Sequence, residues 1–228
     1  MSEGAVLVGG QALAFWVARF GVNIKDGPRV YISSDADFLG FREHVERFSR
    51  ALGGKAVYPP KRGATALHGA VERNIEGTTI GVDVLRKVVG LDPDAVRRRA
   101  IAVTHPKDAS LRFLVMEPVD CLVSRFENLR RIAERQNEIG VWQAGIAVAV
   151  CRAYVAELIR LNDERKAIKV ATAVFQLAGS ATGLQAYAKY RLDIVEAIPL
   201  GRFTSESFKN EQVRRSLAVI AKARANLA

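Results

Sequence analysis

The chain reads as an α+β protein, with a mixed sheet and its own helices in the N-terminal half and a helical domain after it. Three observations predict this. Short apolar or alternating runs recur up to about residue 116 and stop at Glu117-Pro118. Beyond that pair, apolar residues recur every three or four positions, the period of a helix. The 228 residues, 49% hydrophobic and 25% charged, are enough to bury a core in one large domain or two small ones. The expected division is 1–116 and 117–228.

In chain order, Ala5 to Val8 is the first strand-like run, and Leu13, Trp16, Val17 and Phe20 then fall on one helical face. Further strands are expected at Asp35 to Leu39, Thr65 to Val71, Thr78 to Leu85, Ala100 to Thr104 and Leu111 to Met116. Helices are expected at Gln11 to Phe20, Arg42 to Leu52 and Pro93 to Arg98. In the second half they are expected near Val119 to Gln136, Val141 to Leu161, Glu164 to Ala178, Ala181 to Arg191 and Ser205 to Asn226. Pro118 suits the first turn of a helix, where its missing N–H costs nothing. In the last helix Val213, Leu217 and Ile220 form the apolar stripe.

The chemistry begins at Gly9-Gly10, which closes the first strand and opens a helix. A Gly-Gly turn lets backbone N–H groups approach an anion closely, and a helix N-terminus adds its dipole. A triphosphate would fit there, although plain turn chemistry is the commoner explanation of two such glycines. The segment Ser34-Asp35-Ala36-Asp37-Phe38 is more specific. Residues i and i+2 of a strand share a face, so Asp35 and Asp37 point together while Ala36 and Phe38 point away. Two such carboxylates repel unless a cation lies between them, and Mg²⁺ or Mn²⁺ suits oxygen ligands. Asp83 lies between Val82 and Val84 in TTIGVDVL, where Ile80, Val82 and Val84 make the inward face. An acid in such a run is unfavourable without a partner or a role. Were this strand beside that of Asp35 and Asp37, three carboxylates would converge.

Gly9-Gly10, Asp35-x-Asp37 and Asp83 together resemble the DNA polymerase β-like nucleotidyltransferase superfamily. The stretches VLVGGQALAFWVARF, SSDADFLG, VDVLRKVVGL and EPVDCLVSRFENL resemble bacterial nucleotidyltransferase-like proteins related to abortive-infection toxins of toxin–antitoxin systems. The resemblance implies a nucleotidyltransferase-like fold for 1–116. It implies nucleotide phosphates on Gly9, Gly10 and Ser34, and divalent metal on Asp35, Asp37 and Asp83. It implies transfer of a nucleoside monophosphate from an NTP, with a cognate antitoxin as a partner. The chain departs from the family in its longer segment between Gly10 and Asp35, and it lacks the downstream lysine–aspartate motif.

Thirty-four basic against 24 acidic residues give a net charge of +10, which favours a polyanionic partner. Solvated helix faces explain such a surplus as well; taken with the resemblance to the toxins, it makes RNA, including tRNA, the expected acceptor. A small hydroxylated cation such as an aminoglycoside is the enzymatic alternative, and non-catalytic nucleotide binding is the other. Arg125, Asn128, Arg131 and Arg135 fall at helical spacing, which makes Arg125, Arg131 and Arg135 the candidate RNA-contacting surface; packing between domains is the other reading. The run Arg97-Arg98-Arg99 reads as a solvated face, and His44, His68 and His105 as surface or structural histidines. Cys121 and Cys151 have no metal-ligand spacing, and a reducing cytoplasm is expected. MSEGAVLVGG lacks the basic start of a signal peptide, and Ala144 to Cys151 is too short an apolar stretch to span a membrane.

Overall fold

The computed structural model describes residues 4–24, 35–60, 65–105 and 108–226. The fold is mixed α and β, with one seven-stranded sheet and a helical C-terminal region. The strands are β1 (Val6–Leu7), β2 (Asp35–Leu39), β3 (Lys55–Val57), β4 (Leu67–Ile75), β5 (Thr78–Leu85), β6 (Ile101–His105) and β7 (Asp108–Val115). They lie in the order β3-β4-β5-β2-β1-β7-β6, with β2–β5 and β1–β7 parallel and the other pairs antiparallel. The helices are α1 (Gly9–Phe20), α2 (Arg42–Leu52), α3 (Pro93–Arg99), α4 (Pro118–Arg131), α5 (Glu138–Arg160), α6 (Glu164–Gly179), α7 (Ala181–Tyr190) and α8 (Arg214–Ala225).

The chain forms two compact units, Met1–Phe15 with Val30–Ser124, and Trp16–Arg29 with Arg125–Ala228. In the first unit, α2 covers one face of the sheet. Its Val45, Phe48 and Leu52 pack with Ala36 and Phe38 of β2, Val71 of β4, and Val82 and Val84 of β5. Alternation therefore sends the intervening residues of β2 and β5 to the opposite face. Ile80 does not join this core: it is 40% exposed, because the distal half of the β4–β5 hairpin runs beyond α2. There Glu76 and Gly77 make a two-residue turn, both with positive φ, and Asn74 Oδ1 accepts the Gly77 N–H at 2.9 Å. That conformation matches the right-handed twist of the flanking strands. With both faces in solvent past Val71, no alternation marks the end of β4, which extends to Ile75. The three-residue edge strand β3 turns only Ala56 toward the core, too short a pattern to predict.

Helix ends follow local chemistry. Gly53, at φ 62°, closes α2; the Asp92 side chain accepts the Ala95 N–H at the start of α3, with Pro93 next. Asn137, Asp163 and Ser180 cap α5, α6 and α7 in the same way. The helix expected to run to Gln136 ends at Arg131, and Ala133–Arg135 form a separate 3₁₀ turn. The last helix carries a π-helical turn at Phe208–Val213 ahead of α8.

In the second unit, Trp16 stacks on Phe20 at 5.4 Å, and Phe20 meets Tyr154 at 6.3 Å. Among the described residues, α5 is the one single helix long and apolar enough to cross a membrane, and half of its most apolar window is buried in the protein. The bent pair α6–α7 passes the same test only when taken as one span. The inward positions of α5, including Ala144, Ala147, Val150, Cys151, Tyr154 and Val155, supply a core. Both cysteines are buried, and they form no disulfide with each other.

The arginine run at the end of α3 is a solvated face only in part. Arg99 clamps the buried Asp120 of α4 through two bonds, at 2.7 and 3.1 Å. Arg97 lies 4.3 Å over the Phe41 ring and pairs with Asp94 at 2.7 Å. Arg97 is half-buried, while Arg98 and Arg99 are exposed. A helix of seven residues turns its three terminal arginines in three directions, so two of them meet the protein. Arg99→Met should therefore lower unfolding stability by about 2 kcal/mol, because it strands a buried carboxylate. Arg98→Met should shift it by less than about 0.5 kcal/mol. Urea titrations of the two variants check the contrast.

Candidate active site

The candidate site follows from the register of two parallel strands. Asp35 pairs with Gly81, and Asp37 with Asp83. Asp35, Asp37 and Asp83 thus lie on one face, opposite the α2 core, and each is half-buried. Gly81 leaves the space that Asp35 uses. A Cβ on Gly81 would come within 2.3 Å of Asp35 Oδ1.

A fourth acid joins them that the sequence alone does not single out. On β4, Ala70 pairs with Asp83 and Glu72 with Gly81, so Glu72 faces the same side. Burial, then Asp35, then Glu72, raise the Asp83 carboxyl above its ordinary range. The field of these like charges, rather than any one contact, marks this face. The missed signal is weak: Glu72 belongs to ERNIEG, where the apolar alternation has already dissolved.

The start of α1 meets the same face. The Val8 N–H donates to the Asp37 carbonyl at 2.8 Å. Gly9 has φ 66°, and a Cβ there would come within 2.1 Å of Asp37 Oδ2. Glycine is thus required twice over, by the left-handed backbone and by the carboxylate packed against it. Gly10 lies in the first turn of α1 with no such backbone demand. No acidic side chain occupies that turn, so its N–H groups and dipole remain suited to an anion. Ser34 lies outside the described residues.

The proposed basic surface requires correction. Arg125 is 6% exposed and donates to Gln143 Oε1 at 3.0 Å. Arg131 is exposed and paired with Glu127. Arg135 belongs to the 3₁₀ turn, not to α4. Spacing identified a helix side but not which side is buried, and the helix ends before Arg135; the three do not form one RNA-facing row.

The site's donors fit a divalent cation by chemistry: carboxylate oxygens from adjacent strands, with neighbouring negative charge raising Asp83. Among the described residues, no three His, Cys, Asp or Glu side chains form a ready-made metal cage. Mg²⁺ in phosphoryl-transfer sites needs none, since one or two carboxylates, water and substrate phosphates complete its shell. His44 is buried at the start of α2, where its Nδ1 accepts the Phe41 N–H at 2.9 Å.

Comparison of the chain with protein-family models, curated proteins and solved structures finds no match.

Two outcomes follow from this geometry. Gly9→Ala should cost about 1–2 kcal/mol from its backbone alone, with the displaced Asp37 carboxylate adding to it; Gly10→Ala should be milder, as thermal melts of both would report. Asp83 carries a raised folded-state pKa, so ionising it opposes folding. Asp83→Asn should therefore raise Tm at neutral pH in the absence of metal. The gain should shrink as pH falls and vanish below the ordinary aspartate value of 3.8, where both folded and unfolded wild type hold the proton. Melting curves across a pH series measure it.

Proposed function

We propose that the chain is a metal-dependent nucleotidyltransferase that moves a nucleoside monophosphate from a nucleoside triphosphate to a hydroxyl of an RNA acceptor. The observation that carries this reading is the pairing of Asp37 with Asp83, with Asp35 on the same face and the opening of α1 against Asp37. A purely structural sheet gains nothing from four acids on one face, and their mutual repulsion lowers its stability. A site that binds cations and phosphates accounts for them.

Asp35, Asp37 and Asp83 would hold the divalent ions, Mg²⁺ or Mn²⁺. When bound, such ions neutralise the phosphates and stabilise the charge that develops during in-line displacement. The N–H groups at Gly9 and Gly10 would hold phosphate oxygens at the α1 N-terminus. The acceptor oxygen bonds to the α-phosphorus, the bond to the bridging oxygen breaks, and pyrophosphate leaves. The hydroxyl proton would pass to an Asp83 carboxylate oxygen, which lies on the same face as Asp35 and Asp37. The net charge of +10 supports RNA over a cationic small acceptor. Two buried cysteines outside any disulfide fit a cytoplasmic setting.

The test is incubation with labelled NTPs, Mg²⁺ and total RNA, with wild type beside Asp35→Asn and Asp37→Asn. Label should enter RNA only with metal and wild type, and each variant should lose at least about a hundredfold in rate. In parallel, Mg²⁺ with NTP should raise the Tm of wild type but not of the variants. Undiminished transfer by both variants overturns the mechanism.

A further inference from the structure

A second cluster in the first unit is as one-sided in charge as the acid face, but positive. It gathers around Phe41, directly after β2. Arg97 lies 4.3 Å over the Phe41 ring and donates to the Gly40 carbonyl at 3.4 Å. His44 and His68 rings lie 5.9 and 6.5 Å from the same ring. Arg42, the first residue of α2, lies 4.2 Å over Tyr58. Arg86, directly after β5, donates from Nε to the Leu67 carbonyl at 3.1 Å. Three arginines and two histidines thus meet where the C-terminal ends of β2 and β5 come together.

Little negative charge answers them. Asp94 pairs with Arg97, and Glu43 lies exposed in the first turn of α2. Arg42 and Arg86 are exposed, and neither has a carboxylate partner among the described residues. The repulsion is felt within the cluster. Burial first, then Arg86, Arg97, His44 and Arg42, hold His68 below its ordinary pKa. Such a gathering is costly in the isolated protein and is relieved by an anion.

The arginines are also set for phosphate. Stacking on Tyr58 uses the face of the Arg42 guanidinium and leaves its N–H edge for bidentate contacts with phosphate oxygens; Arg86 spends only its Nε on the Leu67 carbonyl, and Arg97, engaged by Asp94 and the Gly40 carbonyl, adds positive charge beside them. A bilayer is a poor match, because the rings of Phe41 and Tyr58 lie beneath guanidinium groups rather than standing out as apolar anchors. Arg86 follows Asp83 by three residues, about 10 Å along an extended chain. A strand of several phosphates could lie on the cluster with its end near the acids.

We propose that Arg42 and Arg86, set around Phe41 and Tyr58 with the charge of Arg97 beside them, form the surface on which this protein grips the phosphate backbone of an RNA strand. Binding by this surface stands on its own; its role in presenting an acceptor end to Asp35, Asp37 and Asp83 rests on the transferase reading.

The test is fluorescence anisotropy of a short single-stranded RNA with the full chain, over a salt series and without NTP or metal. Arg42→Gln/Arg86→Gln should weaken binding at least about tenfold. It should also flatten the salt slope by about 1.4, as expected for two lost contacts to single-stranded phosphates at about 0.7 each. Arg42→Lys/Arg86→Lys, which keeps the charge, should retain the slope. Arg214→Gln/Lys222→Gln removes the same charge from α8 and should bind like wild type; equal weakening there, or wild-type binding by the first pair, overturns the proposal. Anionic vesicles or a phosphopeptide bound more tightly than RNA, and lost in the same variant, would overturn it in favour of that partner. Because binding is measured without NTP or metal, a failed transfer assay and a failed binding assay are separate results.

Discussion

The parallel pairing of β2 with β5 fixes both the core and the candidate site. A single register, Asp35 to Gly81 through Leu39 to Leu85, decides two things together. It delivers Ala36, Phe38, Val82 and Val84 to α2, and it sends Asp35, Asp37 and Asp83 to the other face. A slip of one residue would bury the acids under α2 and expose the valines. The core therefore holds the carboxylates together against their own repulsion.

Much of this was legible in the residues, for identifiable reasons. DADFL and TTIGVDVL alternate cleanly, so the strands and their faces could be read directly; adjacency of the two strands is a long-range fact that alternation does not carry. Glu72 escaped notice because β4 has both faces in solvent beyond Val71. The sense of the arginines was hidden for a different reason. Arg97, Arg98 and Arg99 look alike in sequence, but one lies on an aromatic ring, one is exposed in solvent, and one clamps a buried aspartate. Arg125 shows the converse: it has ideal helical spacing with Arg131 and yet is buried. Periodicity assigns residues to sides, and only packing says which side is wet.

The first unit carries its charge in two opposed sets. The acids line a sheet face; the arginines collect past the ends of the same two strands. Much of the +10 net charge lies elsewhere, and a surplus spread over a surface does not locate a partner. In the Phe41 cluster, stacking fixes guanidinium planes that would otherwise rotate freely.

The β4–β5 hairpin has a further consequence. Its root is clamped between α2 and β2, while its tip, from Glu72 to Ile80, stands in solvent on both faces. The same two strands therefore grade from a rigid base to a loosely held end, and backbone amides should exchange with solvent fastest near Glu76-Gly77 and slowest beside Val82. Mobility is kept apart from the carboxylate row, even though one continuous ladder joins them. The tip is accordingly the part of this sheet where length and sequence can drift, or a foreign loop can be spliced in, while Asp83 keeps its place.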